Sequence, residues 1–560
     1  MSRKKKKQTK AGTNRGGSQR NPTPKNVSDF GSKLQNALAT ARSNNELPTE
    51  SSKTGKTKQP PVKPDTGRVK SLTRRPSVEI GLSKTNSVGE ADRTTKGRFT
   101  KQAYLQFHNG EPQEEREIVI GLDFGTSSTK ICFRDVQRNQ SFLIDFGDYS
   151  HFDSATYLLQ STLYYRTGQQ VFSLTKGDHK LNELKIQLME SPTVSCIELA
   201  DGTSLSSEEV VSTYLGLALK LARWRFKQLF GAQYAKVEIL WQLNLGIPSR
   251  SYDDVELVAS YHKIGMAAWD LSLESEFIDA EKMKSVWESV TRTLEESVEV
   301  SADSLHPDQV VPIPEVVAGA VGYANSSIKR DNFMHLLIDI GASTVDIATL
   351  FLSSRAGVDR YSFLTAEVAA LGGYQLTNHR LMSFAGALQE KLQLLLDSAD
   401  TMTPPPTPES IQLSVDKEEV DEPFLHEYRK LVGDSLLEVK KTRYPLVVNQ
   451  DQIPVLFSGG GTQISVYHDA LEKLNLKPYS IPELNQLNFD IFDDLEKIGD
   501  VDLSRIGVAY GLSFSPDDIG PILAPNAVPS LAVDGESAHT QPVSMSEKLA
   551  YQGPSIRFDR

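Results

Sequence analysis

Three short segments of the chain place acidic, hydroxyl and glycine residues directly after apolar stretches. The first covers residues 118–130 and carries, after its apolar part, Asp123, Gly125, Thr126, Ser127 and Ser128. A strand, a tight turn and a returning strand would point backbone N–H groups and small hydroxyls into one space. That arrangement suits a phosphate group, and the aspartate can hold a metal ion through water.

A second copy of this pattern lies at residues 336–348. It carries Asp339, Gly341, Ala342, Ser343, Thr344 and Asp346. One such segment alone is most often only a hairpin turn. Two copies, each with an aspartate shortly before the glycine, predict two related half-domains that face each other across a phosphate.

The third segment, residues 455–464, is a short apolar stretch that ends in consecutive glycines. Its candidate ligand-contacting residues are Gly459, Gly460, Gly461 and Gln463. Glycines at the end of a buried strand permit the backbone to approach a flat ligand closely, as adenine and ribose would require. The segment therefore predicts the nucleoside end of the same site.

Together the three segments resemble the actin and heat-shock-protein-70 ATPase superfamily, and most of all the DnaK-type chaperones. They are similar to that family's phosphate-1 loop, phosphate-2 loop and adenosine motif, in that order. Further segments match in order at residues 181–185, 314–323, 371–373, 438–441 and 509–511. The resemblance covers roughly residues 116–515, about the size of one two-lobed ATPase core.

The resemblance implies a role for each matching residue. Mg²⁺ would lie among Asp123, Asp339 and Asp346, mostly through water. Lys185 and Glu315 would orient the attacking water and the γ-phosphate, and the hydroxyls of Thr126 and Thr344 would bond phosphate oxygens. The turn at Gly372 and Gly373 would touch phosphates, and Glu438 and Lys441 would clamp adenosine. These roles suit phosphoryl transfer, which needs neutralised charge, a positioned water and backbone donors.

The chain departs from the family pattern at two places. Ala342 and Ser343 stand where the family usually has glycines, and a side chain there takes space from phosphate and disfavours a positive φ. This departure favours the alternative in which turnover is slow or absent, although the serine can still donate a hydrogen bond to phosphate. Thr442 and Pro445 replace residues that usually contact the base, so the preference for adenine is less well specified than phosphate binding.

The charge of the chain is unevenly distributed. The formal net charge is −11, yet residues 1–100 carry +16 and the remainder carries −27. Residues 1–115 are rich in Lys, Ser, Thr, Gly and Pro, which predicts a disordered tail. Such a basic tail could bind nucleic acid or an acidic surface through counterion release, or serve only to solubilise the acidic body.

Alternating strand and helix patterns predict an α/β protein, and the resemblance implies a two-lobed actin-like fold with duplicated ribonuclease-H-like half-domains. Lobe I would span 116–330 and lobe II 331–520. A Pro-rich insertion at about 395–423 would interrupt lobe II, and a flexible tail would follow at 521–560. Residues 205–230 predict a helix with a capping box at Ser206 and Glu209, and residues 237–247 predict a strand.

Several absences narrow the function further. The forty or so residues after 520 are too few for the peptide-binding domain and lid of a chaperone of this family. No run of eighteen apolar residues predicts a membrane span, and no apolar stretch follows the basic N-terminal residues as in a secretory signal. The two cysteines, Cys132 and Cys196, form no metal-ligand pattern and suggest a reducing compartment. These observations indicate a cytoplasmic protein.

The sequence therefore predicts an ATP-binding and ATP-hydrolysing switch that acts through partner proteins, in a chaperone-like or assembly role. Three alternatives stay open at this point. One is a nucleotide-binding scaffold with little hydrolysis, which Ala342 and Ser343 favour. Another is an actin-like filament former. The last is a carbohydrate-type kinase, whose first phosphate loop the segment 125–130 also resembles.

Overall fold

The computed structural model describes residues 107–528, with gaps. The long gap is 384–416, and the short gaps are 108–109, 151, 153–154, 191, 193–194, 199–201, 203, 249–253, 275–276, 297–299, 329–332, 356–357, 449–450, 490–491, 498, 524 and 526–527. Most of the predicted basic tail, the prolines of the predicted insertion and residues 529–560 lie outside the described residues.

The described strands fall into two large sheets and two small ones. In chain order they are β1 (Glu114–Phe124), β2 (Ser128–Asp135), β3 (Gln140–Leu143), β4 (Leu159–Gln160), β5 (Leu163–Arg166), β6 (Val171–Ser173), β7 (His179–Leu181), β8 (Ser195–Glu198), β9 (Ser204–Ser206), β10 (Val237–Ile247), β11 (Val310–Pro314), β12 (Met334–Ile340), β13 (Val345–Arg355), β14 (Val358–Ala369), β15 (Gln452–Ser458), β16 (Glu483–Asn488), β17 (Leu495–Glu496) and β18 (Ile522–Leu523).

The helices alternate with these strands, so the chain is a mixed α/β protein. In chain order they are α1 (Leu184–Glu190), α2 (Ser207–Phe230), α3 (Val255–Ser272), α4 (Ala280–Glu296), α5 (Glu315–Ala324), α6 (Gly373–Ser383), α7 (Lys417–Val448), α8 (Ser465–Glu472), α9 (Leu503–Leu512) and α10 (Pro516–Ile519). None of the helices in the described ranges combines the length and the apolar composition that a membrane crossing requires.

The two large sheets repeat one strand order. In the first sheet the order is β11-β10-β1-β2-β3-β17, with β4 as an additional strand paired to β2, and in the second it is β16-β15-β12-β13-β14-β18. The pairing directions also correspond. In each sheet the chain's first long strand runs parallel to a later strand and antiparallel to the next one, as β1 does with β10 and β2, and β12 with β15 and β13. Each half also ends in a short parallel edge strand.

Each large sheet buries both of its faces. Ile118, Ile120 and Leu122 of β1 pack in a core with α2, α3 and α4. Alternate residues of a strand point to opposite faces. Accordingly, Leu336 and Ile338 of β12 pack with α7 and α8, whereas Leu337 packs on the other side. Strands buried on both faces are expected to be continuously apolar, which explains the apolar runs in both segments.

Helices α5 and α9 form a layer between the two sheets. Their buried residues share one core with residues of the first sheet and with residues of the second sheet. The two helices approach closely at glycines, because a Cβ added at Gly511 would lie 1.8 Å from the carbonyl oxygen of Ala318, and one added at Gly322 would lie 2.6 Å from that of Gly507. The central layer therefore depends on having no side chain at these contacts.

Two local predictions from the sequence are confirmed. The predicted strand at 237–247 is β10. The predicted helix at 205–230 is α2, although residues 205–206 still belong to β9. Its capping box is present, since the Ser206 hydroxyl accepts from the Glu209 N–H and the Glu209 carboxylate accepts from the Ser206 N–H.

Some expected boundaries differ from the structure. Strand β1 begins at Glu114, within the predicted 1–115 tail, because backbone pairing with β10 continues to the register Glu114–Val237 and does not require apolar side chains. Helix α7 begins at Lys417, within the predicted 395–423 insertion.

The predicted flexible tail at 521–560 also begins too early. Ile522 and Leu523 form β18, which pairs in parallel with β14. The side chains of Ile522 and Val528 are buried in the two cores that involve the second sheet. A few apolar residues scattered among prolines and glycines are enough to anchor this segment at a sheet edge.

Candidate functional site

The turn between β1 and β2 presents the first predicted segment. A Cβ added at Gly125 would lie 2.6 Å from the carbonyl oxygen of Ser128, so this tight turn requires a glycine. The hydroxyl of Ser161 donates to the Gly125 carbonyl at 2.7 Å, and the Ser161 N–H donates to Ser127. The turn is therefore held from behind, which leaves its Thr126 and Ser127 side directed at the cleft.

The turn between β12 and β13 presents the second segment. The Gly341 N–H donates to the Thr344 carbonyl at 2.9 Å, and the Thr344 hydroxyl donates to Asp346 at 3.1 Å. Neither Ala342 nor Ser343 has a positive φ. The turn thus accommodates both substitutions without the backbone strain that the sequence suggested.

The glycine segment after β15 packs directly under the second turn. Gly459 has a φ of +89°, and a Cβ there would lie 2.3 Å from Asp339 Oδ1 and 2.4 Å from the Ile340 carbonyl oxygen. A Cβ at Gly461 would lie 2.2 Å from the Ile340 side chain. These glycines are needed because β12 leaves no room, and Gly460 lines the cleft beside Gly459.

Lys185 and Glu315 form an ion pair at the centre of the site. Lys185 Nζ donates to Glu315 Oε1 at 2.5 Å, and both side chains are largely buried. Glu315 is the first residue of α5, where the helix dipole favours a carboxylate. A Cβ added at Gly246 of β10 would lie 3.3 Å from Glu315 Cγ, so a glycine leaves room for this side chain.

Burial acts on the protonation of this pair. It raises the pKa of Glu315, a tendency that Lys185 opposes and the charge of Asp123 reinforces. Burial alone would lower the pKa of Lys185, but the charges of Glu315, Tyr261 and Asp123 and the hydrogen bond to Glu315 together outweigh it, and the net shift is upward. Lys185 therefore stays charged, while Glu315 is a stronger base than an exposed glutamate.

Three aspartates add negative charge to the same space. Asp339 lies directly opposite Asp346 in the antiparallel register of β12 and β13. Burial, together with the charges of Asp346 and Asp123, raises the pKa of Asp339 to about 6. Asp123 receives a 3.0 Å hydrogen bond from Lys130 Nζ, which offsets part of its charge. Like charges in such proximity favour the binding of a cation.

These elements enclose a cleft with two arms that share Thr126, Lys185, Glu315, Thr344 and Asp346. The first, here named the glycine arm, has about 560 Å³ of empty space, including open solvent at its mouth. It brings together most of the predicted site residues: Asp123, Gly125, Thr126, Ser127, Ser128, Lys185, Glu315, Asp339, Gly341, Ala342, Thr344, Asp346, Gly459 and Gly460.

The second arm, here named the apolar arm, has about 490 Å³ of empty space, including open solvent at its mouth. Beyond the shared residues, its walls consist of Ile186, Met189, Pro248, Val368 and Ala370, together with the predicted site residue Ser343. The cleft therefore has a polar, glycine-lined side and an apolar side, with the Lys185–Glu315 pair between them.

Other predicted residues lie outside the lining of these two arms. Gly372 and Gly373 support the second turn from below, where their N–H groups donate to the carbonyls of Ser343 and Gly341. A Cβ at Gly372 would lie 2.5 Å from the Ala342 carbonyl oxygen. Their N–H groups thus order the turn that would hold phosphate.

The predicted adenosine clamp lies on the surface of α7. Glu438 and Lys441 are both exposed on that helix, within its described part. Gln463 is also exposed, and its side-chain amide donates to Asp502 at 2.8 Å. Gly461 is buried against β12 and does not line either arm among the described residues.

The sequence reasoning missed two cations of the glycine arm. Lys130 could have been found, because a hairpin centred between Thr126 and Ser127 places position 130 opposite Asp123. Arg505, buried on α9, lines the arm with Val508 one turn later. No local pattern marks Arg505, since its place in the site depends on how α9 packs between the sheets.

The residues fit a magnesium ion held through water better than one held directly. In the part of the chain that the structure describes, no group of three or more His, Cys, Asp or Glu side chains could hold a metal ion directly. Asp339, Asp346 and Asp123 nevertheless line one arm, and a Mg²⁺ ion commonly keeps several of its waters when it binds carboxylates.

No protein-family model matches the chain, and no curated protein matches it either. The chemistry of the cleft therefore has to be inferred from its own geometry.

Proposed function

We propose that the chain is a Mg²⁺-dependent ATPase with a two-lobed actin-like fold, similar to the nucleotide-binding domain of DnaK-type chaperones. It acts as a nucleotide-dependent switch on partner proteins, in a chaperone-like or assembly role. One observation carries the proposal. Two corresponding turns, one from each large sheet, meet the glycine segment and the Lys185–Glu315 pair in one cleft.

The repeated strand order supports the fold part of this proposal. Both sheets have the same order and the same pairing directions, and α5 and α9 pack between them. A duplicated half-domain places equivalent turns on opposite sides of one cleft. Phosphate bound there would contact Thr126 of the first half and Thr344 of the second.

The chemistry follows from the same side chains. Lys185 supplies a fixed positive charge toward the γ-phosphate, and Glu315, whose pKa is raised, accepts a proton from an attacking water. The N–H groups and hydroxyls of the two turns bond phosphate oxygens. When bound, Mg²⁺ would neutralise phosphate charge, and Asp123, Asp339 and Asp346 are the residues that would hold it through water.

Thermal unfolding tests this proposal in the full-length protein. The melting temperature is measured with Mg-ATP, with Mg-ADP, and with ATP plus EDTA. A ligand at about 100 times its Kd stabilises a two-state domain by roughly 2.7 kcal/mol, so a clear upward shift with Mg-ATP is expected. We expect the shift to be lost in Asp339→Asn and kept in Asp469→Asn, which alters an exposed aspartate of α8.

The same experiment separates the proposal from its alternatives. A shift without phosphate release would indicate a nucleotide-binding scaffold, and sedimentation only with ATP would indicate a filament former. The absence of any shift with either nucleotide would contradict the proposal.

A further inference from the structure

Beyond the five residues that it shares with the glycine arm, the apolar arm lies outside the proposed nucleotide site. Its walls come from both halves of the molecule, with Ile186 and Met189 from α1 and Val368 and Ala370 from the end of β14. It opens onto Lys185 and Glu315, and neither Gly459 nor Gly460 lines it. A water molecule attacking the γ-phosphate needs only a small polar space there.

Helix α1 shows that these apolar side chains are not simply core residues. Its Leu184 and Leu188 are buried in the first core. Ile186 and Met189 point to another face of the helix, are only partly buried, and line the arm. Apolar surface left uncovered costs about 25 cal/mol per Å² relative to burial, so a covering ligand would stabilise this side of the cleft.

We propose that the apolar arm is a second ligand site, which takes a small uncharged molecule with an apolar body and one hydroxyl facing Glu315. The inference rests on the proposed function in one respect, namely that a nucleotide occupies the neighbouring glycine arm. The ligand displaces the attacking water from Glu315, so occupancy slows the release of free phosphate from ATP. The arm thus gives the switch a small-molecule input.

The chemical class follows from the lining. Hydrogen-bonding side chains lie at the shared end of the arm, at Thr126, Lys185, Glu315, Thr344 and Asp346, and at Ser343. A sugar or a charged molecule would bury polar groups against Ile186 and Met189 without partners, at a cost of about 1–3 kcal/mol for each group.

Binding is tested by saturation-transfer NMR on the full-length protein, without nucleotide. The probes are two uncharged alcohols, benzyl alcohol and 1-naphthalenemethanol, with glycerol and 1-naphthoate as polar and charged comparisons. We expect the alcohols to bind and the comparisons not to. Met189→Trp fills the arm and should weaken alcohol binding about tenfold or more. Val368→Trp, on the opposite wall, repeats the test should the first variant fail to fold.

The control variant is Leu240→Trp, which adds the same indole to an exposed residue of β10 and should leave alcohol binding unchanged. With Mg-ATP present, saturating alcohol should lower the rate of phosphate release several-fold in the control and not in Met189→Trp. Failure of both alcohols to bind, or binding that both filling variants leave unchanged, would overturn the inference. Nucleotide binding is read separately from the Mg-ATP melting shift, so either proposal can fail without the other.

Discussion

The ion pair between Lys185 and Glu315 joins residues that are 130 positions apart in the chain. Both residues were named through the family resemblance of their segments, and neither segment shows by itself that the two side chains meet. The fold makes them one unit, since α1 presents the lysine and the first turn of α5 presents the carboxylate. Their strength as a pair comes from burial, which removes competing water.

The first residue-scale prediction concerns Glu315→Gln. The amide can still accept the Lys185 hydrogen bond but cannot take a proton, so phosphate release should fall by about 10²- to 10⁴-fold while the Mg-ATP melting shift persists. The matched control is Glu256→Gln, because Glu256 is also an acidic residue in the first turn of a helix, α3, and is exposed. Unchanged turnover in Glu315→Gln would remove the glutamate from the proposed chemistry.

The second residue-scale prediction concerns the pH dependence of stability. The pKa of Asp339 is about 6, above the ordinary value of 3.8. The folded state therefore binds this proton more tightly than the unfolded state, and this contribution to the free energy of unfolding should fall as pH rises from about 4 to about 6. Asp339→Asn removes that contribution and should be more stable than the wild type above pH 6, without nucleotide.

Urea unfolding across that pH range, in EDTA, measures this effect. Asp469→Asn is the control, since its exposed carboxylate lies outside the cleft. If the free energy of unfolding changed with pH in the same way in the wild type and in Asp339→Asn, the raised pKa of Asp339 would not be the cause of the pH dependence. Asp339→Asn should also have lost the melting shift with Mg-ATP. Burial disfavours the charge of the Asp339 carboxylate, yet this carboxylate is proposed to hold the cation through water.

The sequence predicted those residues of the candidate site that lie in the three short segments. Asp123, Asp339 and Asp346 occur beside turns, where their position follows from local pairing. Arg505 and Met189 lie on helices whose placement depends on long-range packing, so no nearby signal marks them. The glycines at 372–373 were assigned to phosphate, yet their N–H groups bond the turn itself.

At the scale of elements, the glycine segment after β15 shows how packing restricts sequence. Gly459 combines a positive φ with crowding against Asp339 and Ile340. Gly499 has a similar φ of +74°, yet nothing lies within 4 Å of a Cβ added there. A comparison of substitutions at these two positions therefore distinguishes the cost of backbone strain from the cost of steric crowding.

The prediction at this scale compares Gly459→Ala with Gly499→Ala. The second change should cost about 1 kcal/mol through its φ alone. The first adds an overlap with β12 and should cost roughly 3 kcal/mol or more. Urea unfolding measures both, and an equal loss in the two variants would show that β12 has room to move. Gly459→Ala should also abolish the Mg-ATP shift, because the overlap displaces Asp339.

Helices and strands with a strong local sequence pattern were predicted well. Elements whose position depends on contacts with distant parts of the chain were not. The strand at 237–247 and the helix with its capping box are where the sequence indicates. The start of α7 was misread because acidic residues near prolines suggest a loop, whereas the helix already begins at Lys417. The small strand β17 joins the first sheet, although its neighbour in the chain, β16, belongs to the second.

At the scale of the whole molecule, the repeated sheets and the helix layer between them explain how one cleft draws on both halves. Thr126 and Lys185 come from the first half and Asp339 and Thr344 from the second. The close contact between α9 and α5 at Gly511 resists sliding of one helix along the other. Relative motion of the halves should therefore occur as rotation about the central layer, which would open or close the cleft.

The final prediction tests this motion with spin labels and pulsed electron resonance on the full chain. Glu238→Cys on β10 and Glu472→Cys on α8 are both exposed and report the distance between the halves. Native Cys132 is buried, and burial raises its pKa to about 12, so it should resist labelling, and Cys196→Ser removes the other thiol.

Mg-ATP should shift this distance distribution relative to Mg-ADP, because a γ-phosphate contacts turns of both halves and favours the closed cleft. Glu472→Cys paired with Glu483→Cys lies within the second half and should give the same distances with either nucleotide. Adding Asp339→Asn should abolish the shift of the first pair. Identical distributions with both nucleotides, in a protein whose melting temperature still responds to Mg-ATP, would mean that the cleft binds nucleotide without acting as a switch. A shift confined to the first pair would instead tie the state of the γ-phosphate to the angle between the halves, which is the signal that a partner protein would read.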